Sequence, residues 1–325
     1  WKYLPGRFDL AVVGTHYSGS YYSRYMGRVT LREEFGPRPS GLDSAPPVHD
    51  ESKPTEERPG ECANAGEWAR FCDRAPLMMD TPETLALVRK TGSGFVWLGL
   101  HEPDERQMGD VAEAFNLHPL MVEDAVHAHQ RPKLELYDDT LFLVLRTVKY
   151  IDHDDDEVAN DIVETGEIMV LAGRDFVITV RHGDHTHLAG VRARLEARPE
   201  HLKFGPATVV HAVADRVVDT YVAVVGEMES DVDELEERVF AASPRDLDID
   251  VVYLFKREVL ELRRAVHPLA SPLSLLSGNR PMAESAALPP SSKEIRRHFR
   301  DVADHLTMVN DLVTEYDERL TTLLN

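Results

Sequence analysis

The sequence predicts an α+β fold: a mixed sheet flanked by helices (α/β/α), then an acidic helical hairpin, then a long stalk helix. Three observations predict it. Helix-like and strand-like segments alternate between about 82 and 130 and give way to consecutive β-rich runs, the pattern of a mixed sheet covered by helices. From about 206 onward, apolar residues recur at steps of 3 and 4 in two stretches separated by SPRDLD (243–248). Beyond Pro289-Pro290, nine apolar positions from Ile295 to Leu323 recur at a mean step of 3.5.

In chain order, residues 1–62 are expected to be disordered or weakly ordered. GPRPSGLDSAPPVHDESKPTEERPGE (36–61) is too rich in Pro, Ser, Gly and charge to bury a core, and reads as a linker. GTHYSGS (14–20) lacks the Lys-Ser/Thr ending of a phosphate loop. An α/β domain is expected over 63–205, with PETLALVRK (82–90) helical, GFVWLGL (94–100) a buried strand, and helices over 103–115 and 118–129. TLFLVLRTVKY (140–150), DIVETGEIMVLAG (161–173) and DFVITVRHG (175–183) are the strand-like runs. Residues 206–290 form the helical hairpin and a loop, with ESDVDELEE (229–237) as its acidic face. The stalk helix, 291–325, opens with a capping box at Ser291 and Glu294. Its heptad register argues for packing against copies of itself, the plain alternative being one long helix packed on its own domain. It ends mid-pattern at Leu323-Leu324-Asn325, which reads as an interruption of a longer helix.

Composition narrows the function. Asp+Glu number 57 and Lys+Arg 36, a net charge of −21. Such an excess disfavours nucleic acid, whose binding rests on neutralised phosphates, and favours cations as partners. Cys62 and Cys72 match no zinc spacing and read as free thiols. No apolar run approaches the ~20 residues of a membrane-spanning helix, so the chain as given is expected to be soluble. No nucleophile elbow, GxGxxG or HExxH occurs, and the chain is expected not to be an enzyme.

Three stretches carry candidate chemistry. HPLMVEDAVHAHQRPKLELYDD (118–139) sets Glu123 and Asp124 among His118, His127 and His129. Neighbouring residues on a helix point about 100° apart, so a shared acid–base role is disfavoured. A hard cation tolerates looser oxygen ligands, and a solvated helix end remains the plain alternative. In FRDVADH (299–305), Asp301 and His305 are i,i+4 neighbours on the flank of the stalk seam, where a parallel oligomer would bring carboxylates together unless a cation intervenes. DHDDDE (152–157) opens like an EF-hand loop but has Glu157 where Gly is required, so it reads as a hairpin loop.

These motifs, together with FVWLGLHEPD and FKREVLELRRAVHPL (255–269), resemble the CorA family of magnesium channels over roughly 92–325. The resemblance implies a homopentamer whose cytoplasmic α/β/α domain and acidic "willow" helices stand on the inner face of the plasma membrane. In that family the stalk runs into the first of two transmembrane helices, absent here, with a Gly-Met-Asn motif between them. It further implies that Mg²⁺, with Co²⁺ able to substitute, binds between neighbouring protomers and holds the pore closed. Carried over by motif, the metal-binding residues are Glu123, Asp124, Asp215, Asp301 and His305, with the acidic pair aimed at the adjacent subunit's stalk. The histidines and Arg131-Pro132-Lys133 then serve to end the helix and start the strand. A ZntB-like zinc transporter domain and a free-standing divalent-ion scaffold are the alternatives.

Overall fold

A computed structural model of the chain describes residues 8–18, 21–31, 94–151, 162–183, 187–198, 200–240, 249–278 and 293–325, with parts of 85–92. Seven strands form one sheet in the order β2-β1-β3-β7-β6-β5-β4. They are β1 (Phe8–Ser18), β2 (Tyr21–Leu31), β3 (Phe95–His101), β4 (Lys133–Tyr137), β5 (Thr140–Tyr150), β6 (Val163–Ala172) and β7 (Phe176–His182). β3 runs parallel to β7 and every other pairing is antiparallel, so the sheet is mixed, as predicted.

The N-terminal hairpin is more regular than the disordered or weakly ordered segment expected. β1 pairs β2 from Phe8↔Leu31 to Ser18↔Tyr21, and β1 then pairs β3 from Asp9↔Gly99 to Val13↔Phe95. Its sequence signal is Gly19-Ser20 between two runs rich in Val, Thr and Tyr, a hairpin pattern masked by the polar linker that follows. The linker 36–61, Cys62, Cys72, the 152–157 loop, SPRDLD, Ser291 and most of the 277–290 loop lie outside the described residues.

Helices cover the central strands on both faces, which is why β5 and β6 read as near-continuous apolar runs. Val96, Phe142, Val144, Met169 and Ile178 face α1 (Glu105–Phe115) and α2 (Pro119–Val126). Trp97, Leu143, Leu145, Val170 and Val177 face the helical layer. That layer comprises α3 (Ala189–Ala197), α4 (Pro206–Phe240), α5 (Ile249–Val266), α6 (Ala270–Ser277) and α7 (Lys293–Leu323). α1 starts on a complete capping box between Asp104 and Gln107 and ends at Asn116 in the left-handed region. The helical hairpin is tied to the sheet through a buried carboxylate. Glu258 of α5, 2% exposed, accepts the backbone N–H groups of Ile162 (3.2 Å) and Val163 (3.0 Å) at the start of β6.

The stalk departs most from expectation. Its heptad positions Ile295, Phe299, Val302, Leu306, Val309, Val313, Tyr316 and Leu320 are all buried within a single chain, where they pack on α4, α5 and α6. The seam is therefore not a free surface for another copy. A 3.5-residue repeat states only that one apolar stripe seeks cover, and neighbours in the same chain supply it here. Polar ties fix the register: Tyr316 donates to the Val225 carbonyl (3.0 Å), Lys256 pairs with Asp317 (2.7 Å), and Arg319 pairs with Glu236 (2.8 Å).

Val309→Asp should accordingly unfold the domain rather than merely separate protomers. A carboxylate forced into this seam costs roughly 3 kcal/mol or more. The thermal midpoint should fall markedly at every protein concentration, with loss of helical circular dichroism. A parent-like melt accompanied only by a change in sedimentation would contradict the intramolecular packing.

Candidate metal centre

α2 is built to present its acidic pair outward. His118 caps its N-terminus, Nδ1 accepting the Leu120 N–H at 3.2 Å, and Pro119 occupies the first turn. Met121 and Ala125, four residues apart, are fully buried, which turns Glu123 to solvent and leaves Asp124 at the boundary, half-buried. The other end is held from the sheet. His182 Nε2 lies 3.0 Å from the Ala125 carbonyl, and buried Glu167 accepts the Gln130 N–H at 3.2 Å. His127 ends the helix, as expected from the sequence, whereas His118 caps its start, and His129 sits at φ 80 in the turn that follows.

Lys133 does more than lead into β4. Its Nζ lies 2.7 Å from Asp124 Oδ2 and 2.8 Å from Glu135 Oε2, and 5.5 Å from the centre of the Phe142 ring. Burial disfavours its charge, but hydrogen bonds to Asp124 and Glu135 outweigh this and hold the ammonium above its usual range. Glu135 is likewise drawn below the usual carboxylate range: burial opposes, and hydrogen bonds from Lys133 and Tyr137 prevail.

Asp215, Asp301 and His305 form a second group on the opposite face of the sheet. Asp215 lies on α4 and is half-buried; Asp301 and His305 are exposed on α7. The Asp215 carboxyl is pushed up by burial first and by the charges of Asp219 and Asp301, against the pull of Arg194 and His305. The chain thus brings Asp215, Asp301 and His305 into one electrostatic neighbourhood and leaves Glu123 and Asp124 on the other side. The sheet stands between the groups, so within one chain they cannot share an ion. Among the described residues, no three His, Cys, Asp or Glu side chains are already gathered to hold a metal.

A histidine cluster beside the second group was not legible in the sequence. His298 of α7 lies 5.3 Å from His211 of α4 and 6.1 Å from His201, centre to centre, and His211 stands edge-on to Phe299 at 5.3 Å. His211 is one turn before Asp215, and His298 nearly one turn before Asp301, so the cluster adjoins the acidic group. Its members are scattered over nearly a hundred residues, which hides it from any spacing rule. Burial, and then the neighbouring His298, bring His211 down to about 4.

Residues 92–325 match the CorA-like Mg²⁺ transporter protein family, well over half of the chain. The chain belongs to that family. The chain is 27% identical over 226 residues to a putative metal ion transporter, YfjQ, of Bacillus subtilis, covering 70% of this chain and 65% of that protein. It is 28% identical over 228 residues to the cobalt/magnesium transport protein CorA of Thermotoga maritima, covering 70% and 60%. This chain therefore spans less than two thirds of the length of these relatives. The fold matches the CorA magnesium transporter of Methanocaldococcus jannaschii at TM-score 0.54 and 16% identity, over 71% of this chain and 68% of that one. It also matches the ZntB cytoplasmic domain of Vibrio parahaemolyticus at TM-score 0.52 and 16% identity, over 71% and 85%. No helix among the described residues is long and apolar enough to cross a membrane.

The depressed His211 makes stability depend on acid in this CorA-family chain. The unfolded imidazole takes a proton below its ordinary value of 6.5, whereas the folded one resists until about 4. Stability should therefore fall as pH drops through this window and level off below it, by at most roughly 3 kcal/mol for this group. Urea melts between pH 7 and pH 4 should show this slope, and His211→Gln should flatten it. An identical slope in the variant would remove His211 as its source.

Proposed function

We propose that this chain is the ion-sensing, cytoplasmic part of a CorA-type divalent cation channel. Its ligand is Mg²⁺, with Co²⁺ able to substitute, held at sites between protomers of a homopentamer. Glu123 and Asp124 of one copy face Asp301 and His305 of the next, with Asp215 behind them. Bound ion favours the closed channel, and the membrane segments belong to the rest of the protein. The supporting relatives are named as magnesium, cobalt or metal ion transporters.

The observation that carries the reading is the division of acidic groups between the two faces of the sheet. Each half offers carboxylate oxygens and neither is complete in one chain, which suits a site assembled from two copies. The residues fit the ion. Carboxylates are hard donors, and Mg²⁺ retains several waters and needs only one or two protein oxygens. The imidazole of His305 adds a borderline donor that suits Co²⁺. The Lys133 ammonium against Asp124 stands in for a cation there, evidence that this carboxylate accepts positive charge. A bound divalent ion would supply charge neutralisation. The chain's own part is to bury Asp215 and hold it beside Asp219 and Asp301, which raises its carboxyl, so that screening by a cation would stabilise the folded assembly. The chemistry proposed is binding and not catalysis.

Mg²⁺ should raise the thermal midpoint, since a ligand of the native state at a hundredfold excess over Kd adds about 2.7 kcal/mol. EDTA should reverse the shift, and NaCl at matched ionic strength should not reproduce it. Asp124→Asn and Asp301→Asn should each remove most of the Mg²⁺ effect, and the pair together little more, because both act on one ion. Without metal, Asp124→Asn should lose up to ~1 kcal/mol with its lysine partner. Additive shifts indifferent to Mg²⁺ would take both residues out of the site.

A further inference from the structure

The geometry points to Lys133 as a built-in competitor for the divalent cation: a tethered ammonium that neutralises Asp124 until a metal ion displaces it onto Glu135. This deepens the reading above and rests on Asp124 being a metal ligand. Lys133 Nζ contacts Asp124 Oδ2 at 2.7 Å and Glu135 Oε2 at 2.8 Å, so it is shared between two carboxylates rather than committed to one. The Phe142 ring, 5.5 Å away, favours a cation in the same place. The Lys133 and Asp124 side chains are 29% and 23% exposed, so water weakens the pair without dissolving it.

The arrangement has a direct consequence for affinity. An arriving ion would gain an Asp124 oxygen only by breaking an existing ion pair, which lowers the apparent affinity of the site. The cost is limited because Lys133 keeps Glu135, itself held by the Tyr137 hydroxyl at 2.8 Å. Swinging between two carboxylates requires only rotation about the flexible lysine stem. A site of this design responds to abundant divalent ion and ignores trace amounts. Arg131 carries the same charge two residues earlier and is exposed. It separates the effect of contact with Asp124 from that of net charge nearby.

The test is the MgCl₂ concentration that gives half of the thermal stabilisation of the full chain at constant ionic strength. Lys133→Met should lower this midpoint by about threefold or more, the worth of a partly exposed ion pair. Arg131→Met should move it by less than about twofold. A Lys133→Met midpoint equal to or above the parent's, or an equal fall in both variants, would overturn the competitor role. Should Lys133→Met fail to fold, the parent protein decides by NMR of lysine ammonium groups. The Lys133 signal should shift with the same Mg²⁺ midpoint while Lys256, paired to Asp317 at 2.7 Å, stays put. An unmoved Lys133 signal in protein that binds Mg²⁺ would overturn the inference alone. A parent chain with no Mg²⁺ response would overturn the proposed function and this inference with it.

Discussion

The structure depends on one constraint: the apolar stripe of α7 is used up inside its own chain. Eight of its positions are buried against α4, α5 and α6, with Val309 and Leu320 fully inaccessible. This closes α7 onto the helical hairpin, whose α4 and α5 in turn pack on β5 and β6. It also decides what α7 can offer a neighbour. Its exposed residues include Asp301, Asp304, His305, Asp311, Glu315 and Glu318 beside Arg297, Arg300 and Met308, a mostly charged surface with little apolar area to drive association. Contacts between copies along this face must contend with like charge. In a chain of net charge −21, cations are the natural means of doing so.

The sheet is the second organising element. It separates the acidic pair of α2 from the acidic group of α4 and α7, and among the described residues neither gathers three ligands for a metal. α2 is tied to the sheet by His182, and the turn after it by buried Glu167, while Glu123 is exposed at the surface. Asp124 already carries the charge of Lys133, whereas the Asp215 carboxyl is pushed up by burial first and then by Asp219 and Asp301, against Arg194 and His305. The two halves therefore differ in kind. Under the proposed function, an ion would have to compete with Lys133 for Asp124, and would relieve the repulsion that Asp219 and Asp301 exert on Asp215.

Much of the fold was legible because periodicity reports local geometry. The β5, β6 and β7 strands, the two α4–α5 helices and the α7 register all follow from apolar spacing, and the structure places them as read. What periodicity cannot report is who covers an apolar stripe. The heptads of α7 were compatible with a partner helix from any copy, and only packing against α4 and α5 decides between them. The N-terminal hairpin was obscured because its signal is two short β-prone runs beside a long polar linker. At the site, the spacing of Asp301 and His305 was readable on one helix. The Lys133–Asp124 pair was not, because a helix end and a strand start meet only after the chain turns at 127–132. The His201, His211 and His298 cluster was hidden for the same reason at longer range.

The central claim is that one ion joins carboxylates from the two faces of the sheet across different copies. Anomalous diffraction from crystals of this chain grown with Co²⁺ tests it most directly. The account predicts a peak whose ligand sphere, direct or through water, includes Asp124 of one protomer and Asp301 of another. A Co²⁺ ion bound by neither carboxylate, or a closed ligand set drawn from a single protomer, would contradict it.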